Sequence, residues 1–357
     1  MYLNDMNTVK ALEQLAFPGP SPILVWAQPL RDALERQLQQ LNEGSTLGAI
    51  AEDLFEAGGK RLRGLMAMNM AQALRLPGEH ALCLARVVEL AHGATLLHDD
   101  VIDEAALRRG RPAARVRWCN TLSVLAGDYV LLRALRAVEE LATPGLMSLF
   151  LETLDEVIAA EALQHVQAEQ GSTDLDGYLA IAEGKTGSLF GFACAAPALV
   201  AGSAPRSEVL GRAGRHAGIA FQILDDLRDV VAGDPTKQGL QDAFDGVLSL
   251  PLRLAAWQHP ELARALHRAR RGQLATERVQ GLVQRHVNGE ILARTRTIGL
   301  DYLEQSAVVL RSYPQLGMAN PLRALHDWIR GAFDALSPAS GAVKSRWAPL
   351  PEQHPGA

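Results

Sequence analysis

Apolar residues recur along this chain at intervals of three and four. Leu30, Leu34, Leu38 and Leu41 form one stripe, and Leu262, Leu266, Leu274 and Val279 suggest others. That spacing returns side chains to one face of a helix, whereas a half-buried strand alternates every second residue. Alternating runs are scarce, so the pattern predicts an all-α protein. Breakers fall in short connections, EAGGK at 56–60, RRGRP at 108–112, ATPG at 142–145, AGSAPRS at 201–207 and AGDPT at 232–236, which cut the chain into roughly a dozen helices. No interior linker is long enough to divide the body, so one helical domain is expected over 23–337. A loosely ordered leader, 1–22, precedes it, ending at PGPSP. The tail, 338–357, is rich in Pro, Ser, Gly and Ala without apolar periodicity, which favours disorder.

The composition, 48% hydrophobic and 21% charged over 357 residues, allows a large core. A net charge of −5 and a pI near 6.1, with dispersed basic residues, argue against nucleic acid as a partner. Cys83, Cys119 and Cys194 lie far apart without a CxxC pair, so neither a zinc site nor a disulfide framework is indicated and a reducing cytoplasm fits. The N-terminus has no charged-then-apolar signal pattern and no run of about 18 apolar residues occurs, so a cytoplasmic chain without a transmembrane segment is expected.

The chemistry begins in ELAHGATLLHDDVIDEAALRRGRP, 89–112. On a helix Asp99 and Asp103 stand one turn apart with Asp100 alongside, so their charges repel. A solvated acidic helix end is the bland explanation. The apolar flank, Leu90, Ala91, Ala94, Leu96, Leu97, Val101 and Ile102, speaks instead for a buried helix that needs a cation. AFQILDDLRDV repeats the arrangement with Asp225, Asp226 and Asp229. Two such carboxylate sets suit Mg²⁺, which binds through one or two carboxylates, waters and substrate phosphates. Lys60 and Arg63 in GGKRLRG, Arg108 and Arg109, and Lys185 in EGKTGSLF are candidate phosphate ligands, although each taken singly is commonly a solvated surface charge. Gly58 and Gly59 fit either close backbone approach to a ligand or a helix-capping turn.

In order, GGKRLR, LLHDDVIDEAALRRGRP, GDYVL, KTGSLF and FQILDDLRD resemble the trans-isoprenyl diphosphate synthases, or polyprenyl synthetases, over roughly residues 25–335. The resemblance implies a single large helical bundle around a deep central cavity, the isoprenoid synthase type I fold, usually a homodimer, with two aspartate-rich helices facing across the mouth. It implies that Asp99, Asp103 and Asp225 ligate three Mg²⁺ ions, with Asp100, Asp226 and Asp229 supporting directly or through water. Arg108 and Lys185 would contact the allylic diphosphate, a geranyl, farnesyl or geranylgeranyl compound. Lys60, Arg63, His92 and Arg109 would bind isopentenyl diphosphate, and Thr186 and Gln222 would turn oxygen dipoles toward an allylic cation. Ionisation of the allylic C–O bond, attack by the isopentenyl double bond and proton loss to the departing diphosphate complete the implied reaction.

Members of this family grow their product along the helix that carries the first acidic cluster. Thr95, Ala94, Ala91 and Val88 precede Asp99 there and none is bulky, so a product longer than twenty carbons is expected, although another helix can supply a floor. The match fails after the second cluster. Lys237 can serve as the first of two expected lysines, with Thr236 replacing its glycine, but the second position is Val247. Losing that cation is worth about 1.5 to 3 kcal/mol of allylic binding, one charge-assisted hydrogen bond, unless a group such as Arg228 compensates. Gly64 stands where proline is common, and Gly187 where alanine is. A terpene cyclase would have lost Lys60, Arg63 or His92, and a non-catalytic partner subunit would have eroded aspartates. Neither loss is seen.

Overall fold

The computed structural model of the chain describes residues 28–41, 44–232, 243, 246–311 and 321–336. The expected leader, 1–22, the expected tail, 338–357, and Lys237 lie outside the described residues.

Helices provide nearly all the order, as the apolar spacing predicts. α1 (Gln28–Gln39) buries Leu34 and Leu38 of its stripe. α2 (Thr46–Glu56) opens on Ser45, whose hydroxyl accepts from the Gly48 N–H at 3.0 Å and so satisfies one of the donors that a helix start leaves open. α3 (Leu62–Ala73) carries Leu65, Met66, Ala67, Met68, Met70 and Ala71 all inside, so it threads the core rather than covering it. After α4 (Gly78–Ile102) the chain forms a hairpin of β1 (Leu107–Arg108) and β2 (Arg111–Pro112), with Leu107 opposite Pro112. Its turn residues, Arg109 and Gly110, have φ of 52° and 76°, the two positive values a type I′ turn requires.

α5 (Ala114–Arg117), α6 (Asn120–Glu140) and α7 (Leu146–Gln170) follow. α8 (Leu175–Ala182) starts on Asp174, whose carboxylate accepts from the Gly177 N–H at 2.8 Å. It continues through a π-helical turn, Glu183–Gly187, into α9 (Ser188–Val200). α10 (Ala204–Ala232) runs 29 residues, and α11 (Leu250–Gln258), α12 (Pro260–Arg270), α13 (Thr276–His286), α14 (Gly289–Arg311) and α15 (Pro321–Ala335) complete the order.

One apolar cluster extends from Leu34 to Leu336. α3 and α9 run through its middle, α4 packs on α3 and α6, and α10 packs on α9 and α14. The α9–α10 approach is close because Gly214 has no side chain: a Cβ there would sit 2.6 Å from the Phe190 carbonyl oxygen. By length and composition alone α4 could pass for a membrane-spanning helix. Most of it is buried in the protein, where its apolar side meets α3, α6 and α9, which is the environment of a core helix.

Candidate active site

The first acidic cluster occupies the end of α4, where the helix leaves the core. Burial first, and then the Glu161 carboxylate from α7, push Asp99 up to about 7, against the opposing pull of Lys185. Lys185 stands on the π-helical turn, 2.7 Å from Glu161 and 3.1 Å from the Gln164 side-chain oxygen. Such turns re-aim side chains and recur at functional sites. Asp100 points the other way and is 1% exposed, with Oδ1 accepting from Arg108 Nε at 2.8 Å and Nη2 at 2.5 Å. The guanidinium is thus held against the acidic helix end rather than spread into solvent.

The second cluster lies on α10. Lys60, from the loop before α3, lies in the field of Asp225 and Asp229, and Arg63 in that of Asp225. Arg228 reaches back one turn to Asp225 at 3.6 Å, so it is engaged with the cluster instead of projecting freely from an exposed position. Asp226 is turned inward. It accepts from Tyr178 Oη at 2.7 Å, from the Leu250 N–H at 2.8 Å and from Gln222 Nε2 at 2.9 Å. Burial raises it to about 6 in spite of those three donors. Gln222 Oε1 in turn accepts from Thr186 Oγ1 at 2.8 Å, so the π-helical turn is bonded to α10 through Thr186, while the Lys185 charge acts on Asp99 of α4.

Arg63 spans the same gap from α3. Its Nη1 lies 3.4 Å from His92 Nε2 on α4, and its guanidinium stacks 5.3 Å from the Phe190 ring centroid on α9. A guanidinium has donors alone, so His92 Nε2 accepts and the proton sits on Nδ1. Burial, then Arg63 and Arg109, hold His92 well below its usual range and keep it neutral. Arg109 lies over the loop before α3, where a Cβ on Gly59 would come within 2.9 Å of its Nη1. Gly59, with φ of 147°, thus leaves room for Arg109, and Gly58, with φ of 77° just past the end of α2, fits the helix-capping turn.

The structure gathers Lys60, Arg63, His92, Asp99, Asp103, Arg108, Arg109, Lys185, Thr186, Gln222, Asp225 and Asp229 around the ends of α4 and α10, and directs Asp100 and Asp226 into the protein. Val247, half-buried, brings no cation. Sequence reasoning missed Glu161, Gln164 and Tyr178. Glu161 and Gln164 share one face of α7 at i, i+3 spacing, a signal that gains meaning once Lys185 is known to be opposite. It also missed Arg61, whose buried guanidinium binds Glu35 at 3.1 Å and the Phe55 carbonyl at 2.7 Å and ties the GGKR loop to α1 and α2. Gly64 is accounted for by its N–H, which donates to Glu89 at 2.8 Å and which a proline would lack.

The donor set fits Mg²⁺. It is made of carboxylate oxygens, and Asp99 is crowded by Glu161 and Asp103, a repulsion that a cation would relieve. Among the described residues no three Asp, Glu, His or Cys groups converge on one point.

Comparison with known proteins gives the same picture. The polyprenyl synthetase family pattern matches residues 45–285. The all-trans-nonaprenyl-diphosphate synthase (geranyl-diphosphate specific) of Rhodobacter capsulatus is 38% identical over 231 residues, 62% of this chain and 71% of that one. The octaprenyl diphosphate synthase of Haemophilus influenzae is 31% identical over 307 residues, 85% of this chain and 88% of that one. In structure, the polyprenyl synthase of Caulobacter crescentus, solved with calcium and isoprenyl diphosphate, superposes with a TM-score of 0.75 at 30% identity, covering 88% of this chain and 96% of its own. With the family pattern spanning most of the described helices, the chain belongs to the polyprenyl synthetase family.

Proposed function

We propose that this chain is a Mg²⁺-dependent trans-polyprenyl diphosphate synthase that condenses isopentenyl diphosphate with a geranyl, farnesyl or geranylgeranyl diphosphate to a product longer than twenty carbons. The observation that carries the reading is the joint presence, around the ends of α4 and α10, of an acidic set and a complete second basic set, Lys60, Arg63, His92 and Arg109. An enzyme that merely ionised one allylic diphosphate would have no use for the second set.

Asp99, Asp103, Asp225 and Asp229 would hold the metal, taken as three ions. Bound there, Mg²⁺ supplies the charge that makes the allylic diphosphate a leaving group. Lys185, steadied by Glu161 and Gln164, adds a positioned cation for the same group, with Arg108 and Lys237 in support. Thr186 and Gln222 present oxygen dipoles to the allylic cation as it forms. Arg63 and Arg109 grip the second diphosphate, and neutral His92 turns an acceptor nitrogen toward Arg63. His92 is therefore no base, and the proton released after condensation leaves with the diphosphate.

Ala91 and Ala94, both fully buried on α4, leave the product side of that helix without a bulky stop, and the relatives named for octaprenyl and nonaprenyl products support the long chain. The catalytic domain is 23–337, and the tail takes no part in catalysis. The protein works in the cytoplasm as a homodimer. Exposed Leu125 and Leu132 on α6, and Leu151 and Ile158 on α7, each seven residues apart, give two apolar stripes that a second copy would cover. The test is incubation of purified protein with Mg²⁺, labelled isopentenyl diphosphate and each primer, followed by chromatography of the dephosphorylated products. A ladder ending beyond twenty carbons is expected. Diphosphate release with no elongated product from any primer would overturn the reading.

A further inference from the structure

Asp226 follows directly on Asp225 and carries the same side chain, yet its surroundings differ. It is 9% exposed, and three donors reach it: Tyr178 Oη and the Leu250 N–H on Oδ2, Gln222 Nε2 on Oδ1. An ionised carboxylate accepts and cannot donate. The end of Gln222 that faces it must therefore be the amide NH₂, and the carbonyl oxygen is forced to the far side, where it accepts from Thr186 at 2.8 Å. Reversal would present an NH₂ dipole toward Thr186 in place of an oxygen.

We infer that Asp226 is a positioning residue rather than a magnesium ligand, fixed by Tyr178 and the start of α11 so that it locks the direction of the Gln222 amide. What the locked oxygen acts on, a developing allylic cation, rests on the synthase reading above. That Asp226 stands away from the metal does not.

The donor arithmetic makes the substitution Asp226→Asn decisive. Tyr178 and Leu250 both donate to the Oδ2 position, so the new amide must keep its oxygen there and turn its NH₂ to Gln222. Two NH₂ groups cannot face each other, and Gln222 flips. A double variant, Gln222→Glu with Asp226→Asn, keeps the net charge and restores the pairing in reverse: the new amide donates to residue 222, whose second oxygen again accepts from Thr186.

Four proteins are compared: wild type, Asp225→Asn, Asp226→Asn and the double variant. Manganese binding is followed by electron paramagnetic resonance with inorganic diphosphate present, and condensation by steady-state kinetics. Asp226→Asn is expected to bind manganese as wild type does while Asp225→Asn binds it more weakly. Its kcat should fall about 10- to 100-fold with both KM values unchanged, as when one preorganised dipole is lost. The double variant should recover most of that loss. Manganese binding weakened in Asp226→Asn as in Asp225→Asn would overturn the inference, and so would a double variant no better than Asp226→Asn. If wild type binds manganese but elongates nothing, the synthase reading falls, while normal manganese binding by Asp226→Asn still supports the placement of Asp226 away from the metal.

Discussion

Arg63→Met should separate binding from stability. Arg63 is half-buried at the start of α3, its Nε is enclosed with no hydrogen-bond partner among the described residues, and desolvation lowers its pKa. An unsatisfied buried donor costs about 1–3 kcal/mol. The stacking on Phe190 at 5.3 Å offsets about 1 kcal/mol of this. The 3.4 Å approach to His92 is long for a hydrogen bond and adds little. Without substrate the guanidinium is thus close to neutral or unfavourable for folding, and a methionine of similar length fills its channel without a buried charge. Arg63→Met should leave the melting temperature unchanged or raise it, by at most about 2–4 °C per kcal/mol regained. With isopentenyl diphosphate bound, the same side chain makes a charge-assisted contact worth about 1.5–3 kcal/mol, so KM for that substrate should rise about 10- to 150-fold. Calorimetry of the free protein and initial rates at saturating allylic substrate measure both. A melting temperature lowered by several degrees, with KM for isopentenyl diphosphate unchanged, would show that Arg63 is structural and refute the reasoning.

Three further outcomes are expected. Asp99 at about 7 and Asp226 at about 6 lie above the ordinary value of 3.8, so between those limits the folded state binds more protons than the unfolded one. The metal-free protein should therefore lose stability as pH rises from about 4 to about 7, and Mg²⁺ with diphosphate should flatten the slope; a melting temperature that rises through that window would contradict the assigned burial. Ala94→Phe places a ring on the product side of α4 at an overpacking cost of about 1–3 kcal/mol and should shorten the product ladder; an unchanged ladder would put the floor on another helix. Leu132→Asp with Ile158→Asp puts charges into both exposed stripes and should give monomers by light scattering, whereas an unaltered oligomer would exclude this face as the subunit contact.

Helix spacing and both acidic clusters were legible in the sequence because each rests on local periodicity. The 3.6-residue repeat sets which side chains share a face, and Leu34, Leu38, Leu262, Leu266 and Val279 are all buried as that repeat requires. What escaped depends on distant pairs. Glu161 and Gln164 acquire a role through Lys185, more than twenty residues downstream, and no pattern along α7 reports that meeting. The motif DDLRD likewise treats its aspartates as equivalents, whereas α10 packing turns Asp226 toward Tyr178 and Leu250 and leaves Asp225 to Lys60 and Arg228. A short spacing rule fixes the face of a helix within about a turn, and the direction of one carboxylate within that turn belongs to tertiary structure. The π-helical turn at Glu183–Gly187 was invisible for the same reason, since EGKTG continues an ordinary helical pattern.

The most direct test of the central claim is the product ladder itself, made from labelled isopentenyl diphosphate with each allylic primer and Mg²⁺ and resolved after dephosphorylation. Successive five-carbon additions ending beyond twenty carbons are predicted; release of diphosphate without any elongation would contradict the account.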